Sequence, residues 1–129
     1  METTGKRVLL VEDDRFLRRA CEASLRQRGL TVTTAADGEE GLRLARSERP
    51  DIVLLDMLMP KLSGLEVLRA LRGDEATRGL PVLILSNSSR EQDIAEVNRL
   101  GVSGYFVKSN LSLQELGDLV GRVLDGQSA

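Results

Sequence analysis

The sequence has 129 residues, 41% hydrophobic and 29% charged, with a formal net charge of −2. That balance predicts one globular domain over residues 1–129 with its own core, and excludes a general attraction to nucleic acid or to an anionic membrane. There is no histidine and one cysteine, Cys21, which excludes Ser-His and Cys-His catalysis, histidine metal sites and an internal disulfide framework.

Carboxylates, hydroxyls, lysine and backbone must therefore carry any chemistry. No apolar run approaches the ~20 residues needed to span a bilayer. The start, METTGKR, has no apolar segment after its charges, so a cytoplasmic location is expected, in keeping with a lone cysteine. Phe16, Tyr105 and Phe106 are too few aromatics for a base-stacking surface.

Residues 6–11, KRVLLV, read as a first strand, followed by three acids, Glu12, Asp13 and Asp14. Phe16, Leu17, Ala20, Cys21, Ser24 and Leu25 then recur at helical spacing, with Asp14 as N-cap and Gly29 as C′ glycine. Residues 31–35, TVTTA, are β-branched and read as a second strand. Asp37 and Gly38 turn the chain into a helix over 39–49, buried through Leu42 and Ala45 and stopped by Pro50.

In DIVLLDMLMPKLSG, residues 51–64, the run Ile52 to Leu55 suits a strand covered on both faces. Asp56 stands at its end, and Pro60, Ser63 and Gly64 open a loop. A helix over 65–72 faces inward through Leu65, Leu68 and Leu71 and ends at Gly73. Residues 81–85, PVLIL, form a fourth strand running into Ser86. Ser88-x-x-Glu91 has the form of a capping box, ahead of a helix with Ile94, Val97 and Leu100 at i, i+3 and i+6 and Gly101 at its end. Residues 105–107 make a fifth strand before Lys108. Ser112-x-x-Glu115 caps a last helix carrying Leu116, Leu119, Val120, Val123 and Leu124, with Asp118 and Arg122 turned to solvent or a partner. The short tail after Asp125 predicts no second domain.

Strands alternating with helices in this way predict a doubly wound parallel α/β domain. Right-handed crossovers then put the strand ends on one edge, where ligands bind in such sheets. Glu12-Asp13-Asp14, Asp56, Ser86 and Lys108 would converge there. Clustered carboxylates require either a protonated member or a cation, and oxygen-only donors point to a hard ion, most simply Mg²⁺. A serine hydroxyl and a lysine suit an incoming phosphoryl group, for which a strand-end aspartate is a competent nucleophile.

The segments LLVEDD, AADGEEGL, DMLMPKLSG, LILSNS and GYFVKS together resemble the receiver domain of two-component response regulators, of the chemotaxis-regulator-like kind, over nearly the whole chain. The resemblance implies a flavodoxin-like five-stranded parallel sheet, order 2-1-3-4-5, flanked by five helices. It implies that Asp56 accepts phosphate from a histidine kinase or His-phosphotransfer protein, with Mg²⁺, or Mn²⁺, held by Glu12, Asp13, Asp56 and the backbone carbonyl of Leu58. Ser86 and Lys108 would each meet a phosphoryl oxygen, and Tyr105 would be the switch aromatic. The fourth helix, fifth strand and fifth helix would form the surface presented to a downstream effector protein or to a phosphorylation-dependent dimer partner, with no direct nucleic-acid contact. Asn87 stands where the family has a small residue, and Ser109 where it has a proline in a cis bond; a cis bond to a non-proline residue costs about 3 kcal/mol. Leu58 and Ser88 occupy positions that tune dephosphorylation. An apolar Leu58 offers nothing to position a hydrolytic water, so the implied protein is a phosphoacceptor with slow self-dephosphorylation rather than an enzyme.

Two other classes fit less well. A flavodoxin-like carrier would have to seat an FMN phosphate where Glu12, Asp13 and Asp14 repel it. An aspartyl-phosphate hydrolase of the haloacid dehalogenase type needs a second acid where Leu58 stands. A receiver cut from a longer regulator with an output domain has the same features as a stand-alone one.

Overall fold

The computed structural model describes residues 5–86, 91–108 and 112–126. In chain order they form β1 (Arg7–Val11), α1 (Arg15–Gln27), β2 (Thr31–Ala35), α2 (Gly38–Glu48), β3 (Ile52–Asp56), α3 (Gly64–Gly73), β4 (Val82–Ser86), α4 (Glu91–Leu100), β5 (Gly104–Val107) and α5 (Leu113–Leu124). The five strands are parallel in the order β2-β1-β3-β4-β5.

Side chains alternate across a strand, so the apolar runs of the central strands build two cores at once. Val8, Leu10, Ile52, Leu54, Leu83 and Leu85 face one way, against Cys21 and Leu25 of α1 and Leu116 and Val120 of α5. Leu9, Val11, Val53, Leu55, Val82 and Ile84 face the other, against Ala45 of α2, Val67, Leu68 and Leu71 of α3, and Val97 of α4. Such double coverage explains why these strands carry no polar alternation.

The helix ends follow from local chemistry. Asp14 caps α1, accepting from the N–H groups of Phe16 and Leu17 at 2.9 and 3.1 Å, and Gly29 follows at φ 86°. Ser112 caps α5 by accepting from Glu115 N–H at 3.0 Å. The complete capping box lies at α3 instead, between Ser63 and Glu66. The Ser88 cap falls outside the described residues. Arg49, at φ 49°, ends α2 in the left-handed conformation just before Pro50.

Some inward assignments need correction. Phe16, in the first turn of α1, is 86% exposed. Leu42 is half-buried rather than buried, and Leu65, also half-buried, packs inward on the second core as expected. The close contact of α2 is made by Gly41, where a Cβ would sit 2.7 Å from Val11 Cγ1; α3 is seated by Val67 beside Leu68 and Leu71. Asp118 pairs with Arg28 at 3.0 Å across the α1–α5 contact.

Candidate functional site

Register decides which strand ends meet. Val11 lies beside Leu55, and Asp56 beside Leu85, so the next residue of β1, Glu12, emerges next to Asp56. Ser86 lies beside Val107, which brings Lys108 to the same edge. The loop after β1 is tied down by Arg18, whose Nη1 donates to the carbonyls of Glu12 at 2.9 Å and Asp13 at 3.3 Å. Asp14 is committed to capping α1 and leaves the acid cluster to its two predecessors. After β3 the chain folds tightly back, with Gly64 N–H donating to the Met57 carbonyl at 2.9 Å. A Cβ on Gly64 would sit 2.2 Å from the Asp56 carbonyl oxygen, so only glycine permits the turn.

The centre of the cluster is an ammonium between two carboxylates. Lys108 Nζ lies 2.6 Å from Glu12 Oε1 and 3.0 Å from Asp56 Oδ1, with the Glu12 side chain fully buried and that of Asp56 nearly so. Glu12 Oε2 accepts the Asp14 N–H at 3.0 Å, whereas Oε1 is held by the ion pair alone, without a well-directed hydrogen bond. Leu58 N–H reaches Asp56 Oδ1 at a long 3.4 Å. One carboxylate oxygen from each of Glu12, Asp13 and Asp56 falls within 4.8 Å of the others, and Asp13 opens the group to solvent.

Electrostatics set the protonation. Burial, then a hydrogen bond with Asp13 and the charge of Glu12, raises the Asp56 carboxyl to about 7, while Lys108 pulls the other way. Burial alone would lower the Lys108 pKa, but its bonds to Glu12 and Asp56 outweigh that and raise it. The Cys21 thiol is pushed up to about 11, by burial first and by Glu12 second, and stays a protonated core side chain. One ammonium against three carboxylates leaves net negative charge on hard oxygen donors, which fits a divalent cation such as Mg²⁺.

The structure thus brings together Glu12, Asp13, Asp56, Ser86 and Lys108, with Ser86 buried at the end of β4. Tyr105 is half-buried and packs on the core shared by α2, α3 and α4. Leu58 is 64% exposed and, with Phe16, lines the mouth of a cleft of about 790 Å³ that also contains Asp13, Asp56 and Lys108. Phe16, expected only as part of the apolar periodicity of α1 and as one of few aromatics, stands in the first turn after a strand-end loop, which is the sequence signal for its place at the cleft. Asn87, Ser88 and the Lys108–Ser109 bond lie outside the described residues.

The family described as "Response regulator receiver domain" matches residues 8–120. The chain belongs to this family. As a receiver domain it is 38% identical over 120 residues to the transcriptional regulatory protein AfsQ1 of Streptomyces coelicolor, covering 93% of this chain and 48% of that protein. It is 44% identical over 110 residues to the transcriptional activator protein PfeR of Pseudomonas aeruginosa, covering 85% and 35%. Among solved structures, the chemotaxis protein CheY4 of Vibrio cholerae superimposes with a TM-score of 0.86 at 30% identity, covering 93% of this chain and 99% of that one. The receiver domain thus spans half or less of the length of these two regulators. Receiver domains of two-component systems bind Mg²⁺ in an acidic pocket and work with histidine kinases and output effectors; here the acidic cluster is Glu12, Asp13 and Asp56. Among the described residues, no helix is long and apolar enough to cross a membrane.

Proposed function

We propose that Asp56 is the phosphoacceptor of this receiver domain. Lys108 Nζ, seated between Asp56 Oδ1 and Glu12 Oε1 at the meeting of three strand ends, carries the reading. An Asp56 carboxylate oxygen attacks the phosphorus of a phosphohistidine on a histidine kinase or His-phosphotransfer protein. The new O–P bond forms as the P–N bond breaks, and the departing imidazole keeps the electron pair and takes up a proton. Mg²⁺, or Mn²⁺, held by Glu12, Asp13, Asp56 and the Leu58 carbonyl, would neutralise charge on the transferring group. Lys108 turns from the carboxylates to one phosphoryl oxygen, and the Ser86 hydroxyl donates to another. The chain has no histidine, so it takes the phosphoryl group from a partner and cannot hold it on imidazole first.

Closure of Ser86 on the phosphoryl group, with Tyr105 following inward, biases the surface of α4, β5 and α5 towards a downstream effector or a second copy of the chain. The domain acts as a phosphoacceptor with slow self-dephosphorylation, in the cytoplasm, either as a domain over 1–129 alone or as the receiver of a longer regulator; the transcriptional relatives favour the second. Leu58, Asn87 and Ser88 set the lifetime of the phosphoform. The test is incubation with Mg²⁺ and acetyl phosphate, read by intact mass. One added phosphoryl group that disappears in Asp56→Asn is expected; no addition, or undiminished addition in the variant, overturns the assignment.

A further inference from the structure

Helix α4 follows Ser86 along the chain, and its C-terminal half is firmly held by the rest of the fold. Val97 is fully buried under the sheet. Glu96 accepts from Arg69 Nη2 at 2.7 Å and also pairs with Arg99. One turn beyond Arg69 on α3, Arg72 donates only to backbone carbonyls among the described residues. Its Nε reaches Leu100 at 3.2 Å and Gly101 at 3.1 Å, and its Nη2 reaches Gly101 at 2.8 Å. Its Nη1 reaches Arg78 at 3.0 Å and Thr77 at 3.4 Å.

A helix leaves its last carbonyls without internal partners. At the end of α4, Gly101 N–H takes up the Val97 and Asn98 carbonyls, with Gly101 at φ 92°. Leu100 and Gly101 then offer their carbonyls to Arg72. A guanidinium at a helix C-terminus also complements the helix dipole, and its planar fork reaches carbonyls of two segments at once, which an ammonium cannot do. The other end of α3 is rooted beside Asp56, through Gly64 against the Asp56 and Met57 backbone. Helix α3 is therefore a strut from the acceptor strand to the far end of α4.

We propose that Arg72 is the positioning residue about which α4 pivots: α3 holds the C-terminal end of α4 at a fixed distance from Asp56, and Ser86 moves the N-terminal end when it engages the phosphoryl group. The pivot rests on Asp56 being the phosphoacceptor. It makes α4 a lever with one fixed end rather than a helix that shifts or melts as a whole.

The test compares the full chain with Arg72→Lys and Arg72→Met in Mg²⁺ and acetyl phosphate, following intact mass and amide hydrogen exchange in the same samples. All three proteins should gain one phosphoryl group. In the wild type, phosphorylation should change exchange over residues 91–95 and leave residues 100–102 unchanged. In Arg72→Met, exchange over 100–102 should rise about tenfold even without phosphate, and the phosphorylation-dependent change should spread along the whole helix. Arg72→Lys, which keeps the charge but loses the fork, should fall between and guards against loss of fold in the methionine variant. Unchanged protection of 100–102 in both variants, or a wild type whose phosphorylation loosens both ends of α4 equally, overturns the pivot. A wild type that gains no phosphate fails in the mass spectrum, which overturns the acceptor reading and the pivoting motion with it; the unphosphorylated comparison then still decides whether Arg72 anchors the helix.

Discussion

Lys108 Nζ sits 2.6 Å from Glu12 Oε1, in a pair whose lysine and glutamate side chains are 10% and 0% exposed. The pair links the end of β5 to the end of β1 across the width of β3 and β4. It also keeps a buried carboxylate compatible with the fold before any cation or phosphoryl group arrives. Removing the lysine leaves Glu12 buried and unpaired, a loss that typically costs about 3–5 kcal/mol. Lys108→Met should therefore lower stability by that order in EDTA, and Mg²⁺ should restore part of it. Urea unfolding of both proteins, with and without Mg²⁺, checks this.

The pH dependence of the metal-free protein should carry the signature of Asp56. Its folded pKa is raised to about 7, against about 3.9 in an unfolded chain. The unfolded state therefore loses its proton first, and stability falls as pH rises. Asp56 contributes fully below about pH 4 and progressively less up to about pH 7. In EDTA, Asp56→Asn should gain stability relative to wild type across that window and hold a constant difference above it. Thermal unfolding at pH 4, 5.5, 7 and 8 measures the difference; a gap that does not change with pH contradicts it.

Gly64 is the tightest glycine contact beside the site. A Cβ there would meet the Asp56 carbonyl at 2.2 Å and the Met57 Cα at 2.7 Å, both backbone atoms that cannot move aside cheaply. Gly64→Ala should destabilise by about 1–3 kcal/mol and slow phosphoryl acceptance by shifting the Asp56 backbone. Gly121, with nothing near its Cβ position, should tolerate alanine with a small gain in helix stability, up to about 1 kcal/mol. Denaturant midpoints for the two variants provide the contrast.

Leu58 lies over the cleft with an apolar, 64% exposed side chain. It cannot orient a water for in-line attack on an aspartyl phosphate, so the phosphoform should decay with a half-life of minutes or longer. Leu58→Gln, which adds a hydrogen-bonding group at the cleft mouth, should shorten that lifetime without changing acceptance. Intact mass after removal of acetyl phosphate follows both proteins.

Much of the fold was legible because burial on two faces writes itself as continuous apolar strands: VLLV, IVLLD and VLILS each read as covered β-structure. The acids, serine and lysine at the strand ends were legible for the same reason, since a parallel sheet sends every such end to one edge. Helix faces were less so. Phe16 falls on apolar periodicity but is not core, because periodicity reports a stripe and not how far each turn of it is buried. The Ser63–Glu66 box straddles the boundary between the loop opened by Pro60, Ser63 and Gly64 and the helix expected over 65–72, although its spacing has the same form as Ser112-x-x-Glu115.

By itself, then, the amino-acid sequence determined the layer architecture, the strand-end set of Glu12, Asp13, Asp56, Ser86 and Lys108, and the exclusion of imidazole chemistry, because these depend on residue type, local order and topology. Tertiary structure decided what depends on distances between segments far apart in the chain. It placed the Lys108 ammonium on Glu12 as well as Asp56, and tied Asp118 to Arg28. It also gathered the carbonyls at the end of α4 around Arg72, a contact spanning 28 and 29 residues that no local pattern encodes.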